Sequence, residues 1–262
     1  MGAEFIHISW GQLVAAASMV TVSAALSIFY RLKLEKDLAI GVVRAFVQLL
    51  TMGYLLKIIF GLQAALPVIA LYALMTVFAV HIIRGRVREK SISYIIPTGM
   101  AVMVSFTLVT VIVTRFVIGA TPWWEPQYFI PIGGMIAGNA MNALSLSLER
   151  FFSELRNRRE EVEMQLCHGA DYREATEEIF RNALRAGMIP SINALMGVGL
   201  VALPGMMTGQ ILAGADPEEA VRYQIVVMFM MVASTALSSI IVLLLVRRRC
   251  FSSSMSLLVR TE

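Results

Sequence analysis

The sequence predicts an all-α, polytopic membrane protein, and three observations carry that prediction. Of 262 residues, 58% are hydrophobic and 15% charged, whereas a soluble domain has about a quarter of its residues charged. The apolar residues fall in long blocks, and the basic residues gather in alternate connections between those blocks.

A helix that crosses hydrocarbon needs about 20 mostly apolar residues. Seven stretches qualify, at 9–30, 38–60, 65–83, 92–118, 128–148, 189–212 and 221–246. Arg31, Lys33 and Lys36 follow the first stretch, and Arg84, Arg86, Arg88 and Lys90 follow the third. Seven basic residues from Arg150 to Arg185 follow the fifth, and Arg247 to Arg249 follow the seventh. The connections at 61–64, 119–127 and 213–220 hold no Lys or Arg. By the positive-inside rule the N-terminus lies outside and the C-terminus in the cytosol. The net charge of +4 then serves orientation, and no nucleic-acid partner is expected.

The remaining outer features fit that orientation. Trp123, Trp124 and Tyr128 bracket the outer end of the fourth and fifth spans as an interfacial belt. The stretch "GADPEEA" reads as a helix start, with Asp216 as N-cap, Pro217 at N1 and Glu219 closing a capping box. Two cysteines, Cys167 and Cys250, make no disulfide framework, and both fall in cytosolic segments where thiols stay reduced. The first six residues, "MGAEFI", lack the Ser or Thr that myristoylation needs, and no basic n-region of a signal peptide precedes the first span.

One large polar segment, 149–188, stands within this single domain of residues 1–262. Its first half continues the fifth span into water, and Gly169 breaks the run. A second helix starts with Asp171 as N-cap and Glu174 at N3. Tyr172, Ala175, Ile179, Phe180, Ala183 and Leu184 recur at 3- and 4-residue steps and form an apolar stripe. Such a stripe is buried on a membrane surface or in a partner's groove. The two helices form a cytosolic pair.

Polar groups inside the spans are the candidate functional residues, because they are costly there. Arg44, Gln48 and Thr51 lie at i, i+4 and i+7 of the second span. In "PIGGMIAGNAMN", Gly134 and Gly138 make a GxxxG step that lets two helices approach closely. Met135, Asn139 and Asn142 project on nearly one face, either as a packing seam with inter-helix amide bonds or as the lining of a translocation path. Pro204-Gly205, followed by Met206 and Met207, interrupts the sixth span near its middle and frees carbonyls that could line a cavity. The 17 methionines suit gap-filling as well as soft-metal binding. No HExxH, Cys/His cluster or paired catalytic carboxylates occur in the spans, so no enzymatic activity is expected and the metal ligands stay unknown.

Several long segments resemble one family. "LEKDLAIGVVRAFVQLLTMGYLLKIIF", "PIGGMIAGNAMNA", "RAGMIPSINALMGVGLVALPGMMTGQILAGADPEEAVRYQIVVMFM" and "STALSSII" resemble the permease subunit of the iron-export ABC transporters, the FetB type, whose plant relatives are tied to aluminium tolerance. The resemblance implies a permease domain of the bacterial inner membrane that works as a homodimer with a separate ABC ATPase. ATP is then used by the partner, and no cofactor is bound by this chain. In agreement, no GxxxxGK[ST] phosphate loop occurs.

The resemblance also implies that 149–188 is a coupling segment. Gly169, Ala170, Asp171, Tyr172, Ala175, Ile179 and Phe180 would enter a cleft on the ATPase, although Cys167-His168-Gly169-Ala170 departs from the family's usual acidic-Ala-Ala start. Arg44, Gln48, Met135, Asn139, Asn142 and Pro204 to Met207 would line the path. The expected function is export of iron or another metal. The alternatives are an organic-anion or nucleotide-sugar permease and a membrane scaffold or sensor that recruits a cytosolic partner.

Overall fold

The computed structural model describes residues 9–62, 64–252 and 254–259. Its regular structure is helical, and among the described residues only two isolated β-bridges occur, Val198 with Ala202 and Phe251 with Leu257. Among the described residues, six helices are long and apolar enough to cross a membrane. The reading of the first six residues lies outside the described residues.

The chain folds as two units, Met1–Gln63 with Leu212–Gly214, and Ala64–Ile211 with Ala215–Glu262. In the first, Ser9 starts helix α1, Trp10–Phe29, through a capping box with Gln12. A tight turn follows, in which Arg31 and Lys33 adopt positive φ of 53° and 59°. Ser27 holds this turn from beneath. Its hydroxyl accepts from Leu34 N at 2.9 Å and donates to Glu35 at 3.1 Å. Helix α2, Glu35–Leu62, then returns along α1, and Trp10 meets Phe46 with ring centroids 6.2 Å apart.

The second unit begins with α3, Ala65–Arg86, and α4, Ile95–Ile112, which runs on into one π-helical turn, Val113–Val117. Helix α5, Pro126–Asn157, is its axis. It packs against α3 and α4, and also against α7, Glu177–Gly197, and α9, Pro217–Arg249. The buried residues Ile136, Ala140, Leu144, Leu148, Phe151, Phe152 and Leu155 follow the helical repeat on α5. In a bilayer such burial exchanges lipid for protein, so close packing rather than water exclusion holds the helices together.

Two glycines show how close that packing is. A Cβ on Gly187 of α7 would collide with Ser147 Oγ and lie 2.8 Å from the Ala143 carbonyl oxygen of α5. A Cβ on Gly133 would lie 2.6 Å from the Tyr72 ring of α3. Within the chain, the expected Gly134–Gly138 step is not where two helices meet. Gly134 would touch only Met75 Cε, at 3.1 Å, and Gly138 has nothing within 4 Å. The helix faces that meet are one residue round from that stripe.

The predicted span at 189–212 is divided. Helix α7 ends at Gly197, Gly199 turns with φ 83°, and α8, Gly205–Leu212, resumes after Pro204. The two legs still traverse the unit. The start of α7 lies beside the end of α9, where Arg247 donates to Thr176. Met206 of α8 instead shares a small cavity with Tyr128 and Tyr223, near the starts of α5 and α9. Between the legs, Leu200 and Val201 are 93% and 88% exposed.

Two predicted helix starts are adjusted by local hydrogen bonding. Asp171 Oδ1 accepts from Glu174 N and Glu174 Oε2 accepts from Asp171 N, as a capping box requires. Regular α7 nevertheless begins only at Glu177, after a looser turn. At Asp216 the cap accepts from Glu218 N at 2.8 Å. Glu219 does not close a box there, because it pairs with Arg222 at 3.1 Å.

Candidate functional site

The polar residues expected inside the spans fall into separate places. Asn139 sits where α5, α7 and α9 meet. Its amide donates to Thr235 Oγ1 at 2.8 Å, Ser191 Oγ at 3.0 Å and the Met231 carbonyl at 3.4 Å. Ser191 and Thr235 are themselves 3.2 Å apart, and both are buried. Asn142, one turn on, is exposed and accepts from Arg86 at the end of α3 at 2.6 Å. The two asparagines therefore serve different contacts, Asn139 with α7 and α9 and Asn142 with α3. Met135, on the same helix, is half-buried.

Pro204, Gly205, Met206 and Met207 lie at the break between α7 and α8. Met207 lines an apolar cavity of about 440 Å³, together with Leu195, Val198, Leu203, Met228 and Phe229. Gln224 supplies its amide. That side chain is buried, and among the described residues its Oε1 has no hydrogen-bond partner. Arg44 and Gln48 belong to the first unit, where both are exposed on α2. Among the described residues no three of His, Cys, Asp and Glu converge as a metal site.

The polar segment is built as a bracket on the basic end of the second unit. Helix α5 runs to Asn157, and α6, Arg159–Cys167, follows after a kink at Arg158. Gly169, with φ 94°, turns the chain. Gly169 and Asp171 are exposed, while Ala170 and Tyr172 are half-buried. The apolar stripe is spent largely inside the chain. Ala175, Ile179 and Ala183 are buried, so Ala175 and Ile179 have no surface left for a partner. The reason is that α7 packs on both α5 and α9, which the sequence period alone does not reveal.

Arg247 is the hub of this bracket. It is 4% exposed and donates Nε to Thr176 Oγ1 at 2.7 Å, and Nη2 to both the Arg173 carbonyl and Glu177 Oε2. Its guanidinium also lies over the Phe180 ring, 5.0 Å from the centroid. Burial raises the Glu177 carboxyl, but the bonds and charges of Arg247 and Arg181 outweigh it and hold the group below the usual carboxylate range. Arg248 lies over the Tyr172 ring at 5.5 Å, and Arg249 donates to the Ser93 carbonyl at 3.0 Å.

Nearby connections are tied in the same way. In the α3–α4 connection, Glu89 is buried. Burial raises its carboxyl, while hydrogen bonds from Ser91 and the Arg156 guanidinium at 2.9 Å bring it below the usual range. The tail folds back so that Phe251, Leu257 and Val259 are buried, and Arg159 donates to the Val259 carbonyl at 2.7 Å. Burial also pushes the Cys250 thiol far above its usual value.

The sequence reading assigned Arg247 to Arg249 to orientation alone, and so missed the clamp. The available signal was the length of α9. A helix of 33 residues carries its last turns beyond a hydrocarbon core that needs about 20.

A family described as an uncharacterised protein family, UPF0014, matches residues 10–251. The chain belongs to UPF0014. A UPF0014 membrane protein of Synechocystis sp. is 35% identical over 228 residues, 86% of each chain. A protein of Escherichia coli named "Probable iron export permease protein FetB" is 34% identical over 218 residues, 83% of this chain and 82% of its own. "Protein ALUMINUM SENSITIVE 3" of Arabidopsis thaliana is 33% identical over 223 residues, 83% of this chain and 79% of its own. No solved structure matches this UPF0014 chain.

Proposed function

We propose that this chain is the membrane-spanning permease subunit of an ABC-type exporter, which moves iron or another metal and is driven by a separate ATPase. The observation that carries the reading is the 34% identity, over most of both chains, with the E. coli relative named "Probable iron export permease protein FetB". The bracket on the basic end supports it. It offers the exposed Gly169, Asp171 and Arg173 of its turn while its inner face is fastened to α5 and α9. That turn, with the half-buried Tyr172 and Phe180, is the surface offered to the ATPase.

In this reading the basic end faces the cytosol of a bacterial inner membrane, in keeping with the positive-inside rule. Two copies enclose the path, and closure of two ATPase subunits on ATP moves the brackets and switches the path from inward- to outward-facing. The break at Pro204–Met207 contributes irregular backbone, which is stable at membrane depth only against protein or water.

The test is iron accumulation in cells that carry the chain and its ATPase, each alone, or neither. The expected outcome is lower cellular iron only when both are present. Equal iron loss without the ATPase would reject the reading.

A further inference from the structure

The last turn of α9 reaches both connections on the basic end. Arg247 holds the Gly169 to Thr176 turn through Thr176 Oγ1, the Arg173 carbonyl and Glu177, and Arg249 holds the Ser93 carbonyl of the α3–α4 connection. A run of three arginines after a span is ordinarily read as a charge that fixes orientation. Such a charge needs water, and Arg247 has almost none, with 4% of its surface exposed.

A buried guanidinium is stable only when its donors are satisfied, and this one reaches a hydroxyl, a carbonyl and a carboxylate on neighbouring positions of one turn. Its flat face lies over Phe180, so it is fixed in plane as well as in direction. Lys, a single point of charge, does not span these acceptors.

We propose that Arg247 is a positioning residue, the strut that makes the Gly169–Thr176 turn and α9 move as one body, so that displacement of the turn is delivered to the membrane core at Asn139, Thr235 and Ser191. The delivery part rests on the permease reading given above. The strut itself does not.

Two variants separate the strut from mere charge. Arg247→Lys keeps the positive charge and hence the orientation signal. Thr176→Val keeps volume and removes the acceptor of Arg247 together with the hydroxyl's own bond to the Tyr172 carbonyl, so Arg247→Lys is the deciding variant. Both are compared with the wild-type full chain in lipid nanodiscs by hydrogen–deuterium exchange. A rise in exchange of about tenfold or more is expected at the backbone amides of 169–176 in both variants, with the centre of α9 unchanged. Unchanged exchange at 169–176 in Arg247→Lys would overturn the strut.

The second arm uses the complex with its ATPase in inverted vesicles, with iron(II) as the transported probe. The ATPase should still co-purify with Arg247→Lys and still hydrolyse ATP, while iron moved per ATP falls about tenfold. Iron moved per ATP at the wild-type ratio would overturn the proposal, because a purely structural role leaves that ratio alone. Iron transport by the wild-type chain without ATPase would instead sink the permease reading, and the exchange arm would still decide the strut.

Discussion

Asn139 illustrates how one side chain acts on several partners. Its amide is shared among Ser191, Thr235 and the Met231 carbonyl, so a single group ties three helices together. Hydrogen bonds of this kind inside membranes contribute about 0.6 kcal/mol each on average. Asn139→Leu is therefore expected to lower unfolding stability by about 1–2 kcal/mol, and Ser191→Ala and Thr235→Val should each remove part of the same sum. Thermal unfolding in detergent measures this. Full stability combined with lost export would assign Asn139 to the path instead of the seam.

At the scale of elements, the connection between α3 and α4 is held by a buried carboxylate. Glu89 has its carboxyl depressed by Ser91 and Arg156 against the opposing effect of burial. A carboxylate with a lowered folded pKa stabilises fully above its unfolded pKa of about 4.3, and that contribution disappears as pH falls through the lower folded value. Glu177 has the same sign through Arg247 and Arg181. Unfolding followed from pH 7 to pH 3 should show a loss of stability concentrated below about pH 4.3. Glu89→Gln should be less stable at pH 7 and should flatten that dependence. A slope unchanged in the variant would remove Glu89 from the account.

These elements also show what a single sequence can and cannot reveal. Length and apolarity suffice for a helix, so α1 to α5 and α9 were legible from composition. Pro204 and the glycines around it marked the break in the sixth span, because a ring without an N–H and residues free to take positive φ do not continue a helix. The cap at Asp171 was legible for a similar local reason. The burial of Ala175 and Ile179 was not, since a stripe looks the same whether its cover is another protein or the chain's own α5 and α9. Gly187 escaped notice as well. Its requirement comes from Ser147 and Ala143, 40 or more residues away in sequence.

For the whole molecule, orientation is the property on which the proposed role turns. Cys167 is exposed on the basic end and Cys250 is buried, which provides one reactive thiol and an internal control. A membrane-impermeant maleimide is expected to label Cys167 in inside-out vesicles and not in intact cells, with Cys250 unlabelled in both. Labelling in intact cells would place the bracket outside and leave an ATP-driven partner nothing to grip.

The lengths of α5 and α9 have one more consequence. At 1.5 Å per residue their 32 and 33 residues rise about 48 to 50 Å, against a hydrocarbon layer of about 30 Å. Set upright, such a pair overshoots by about 18 to 20 Å, against a headgroup zone of about 5 to 8 Å on each side. In the proposed orientation, an overshoot taken on the basic end would carry the bracket past the lipid surface. Under the proposed function, an ATPase docking on the bracket would meet protein before it met phosphate headgroups, and its binding should depend little on which lipids surround the stalks.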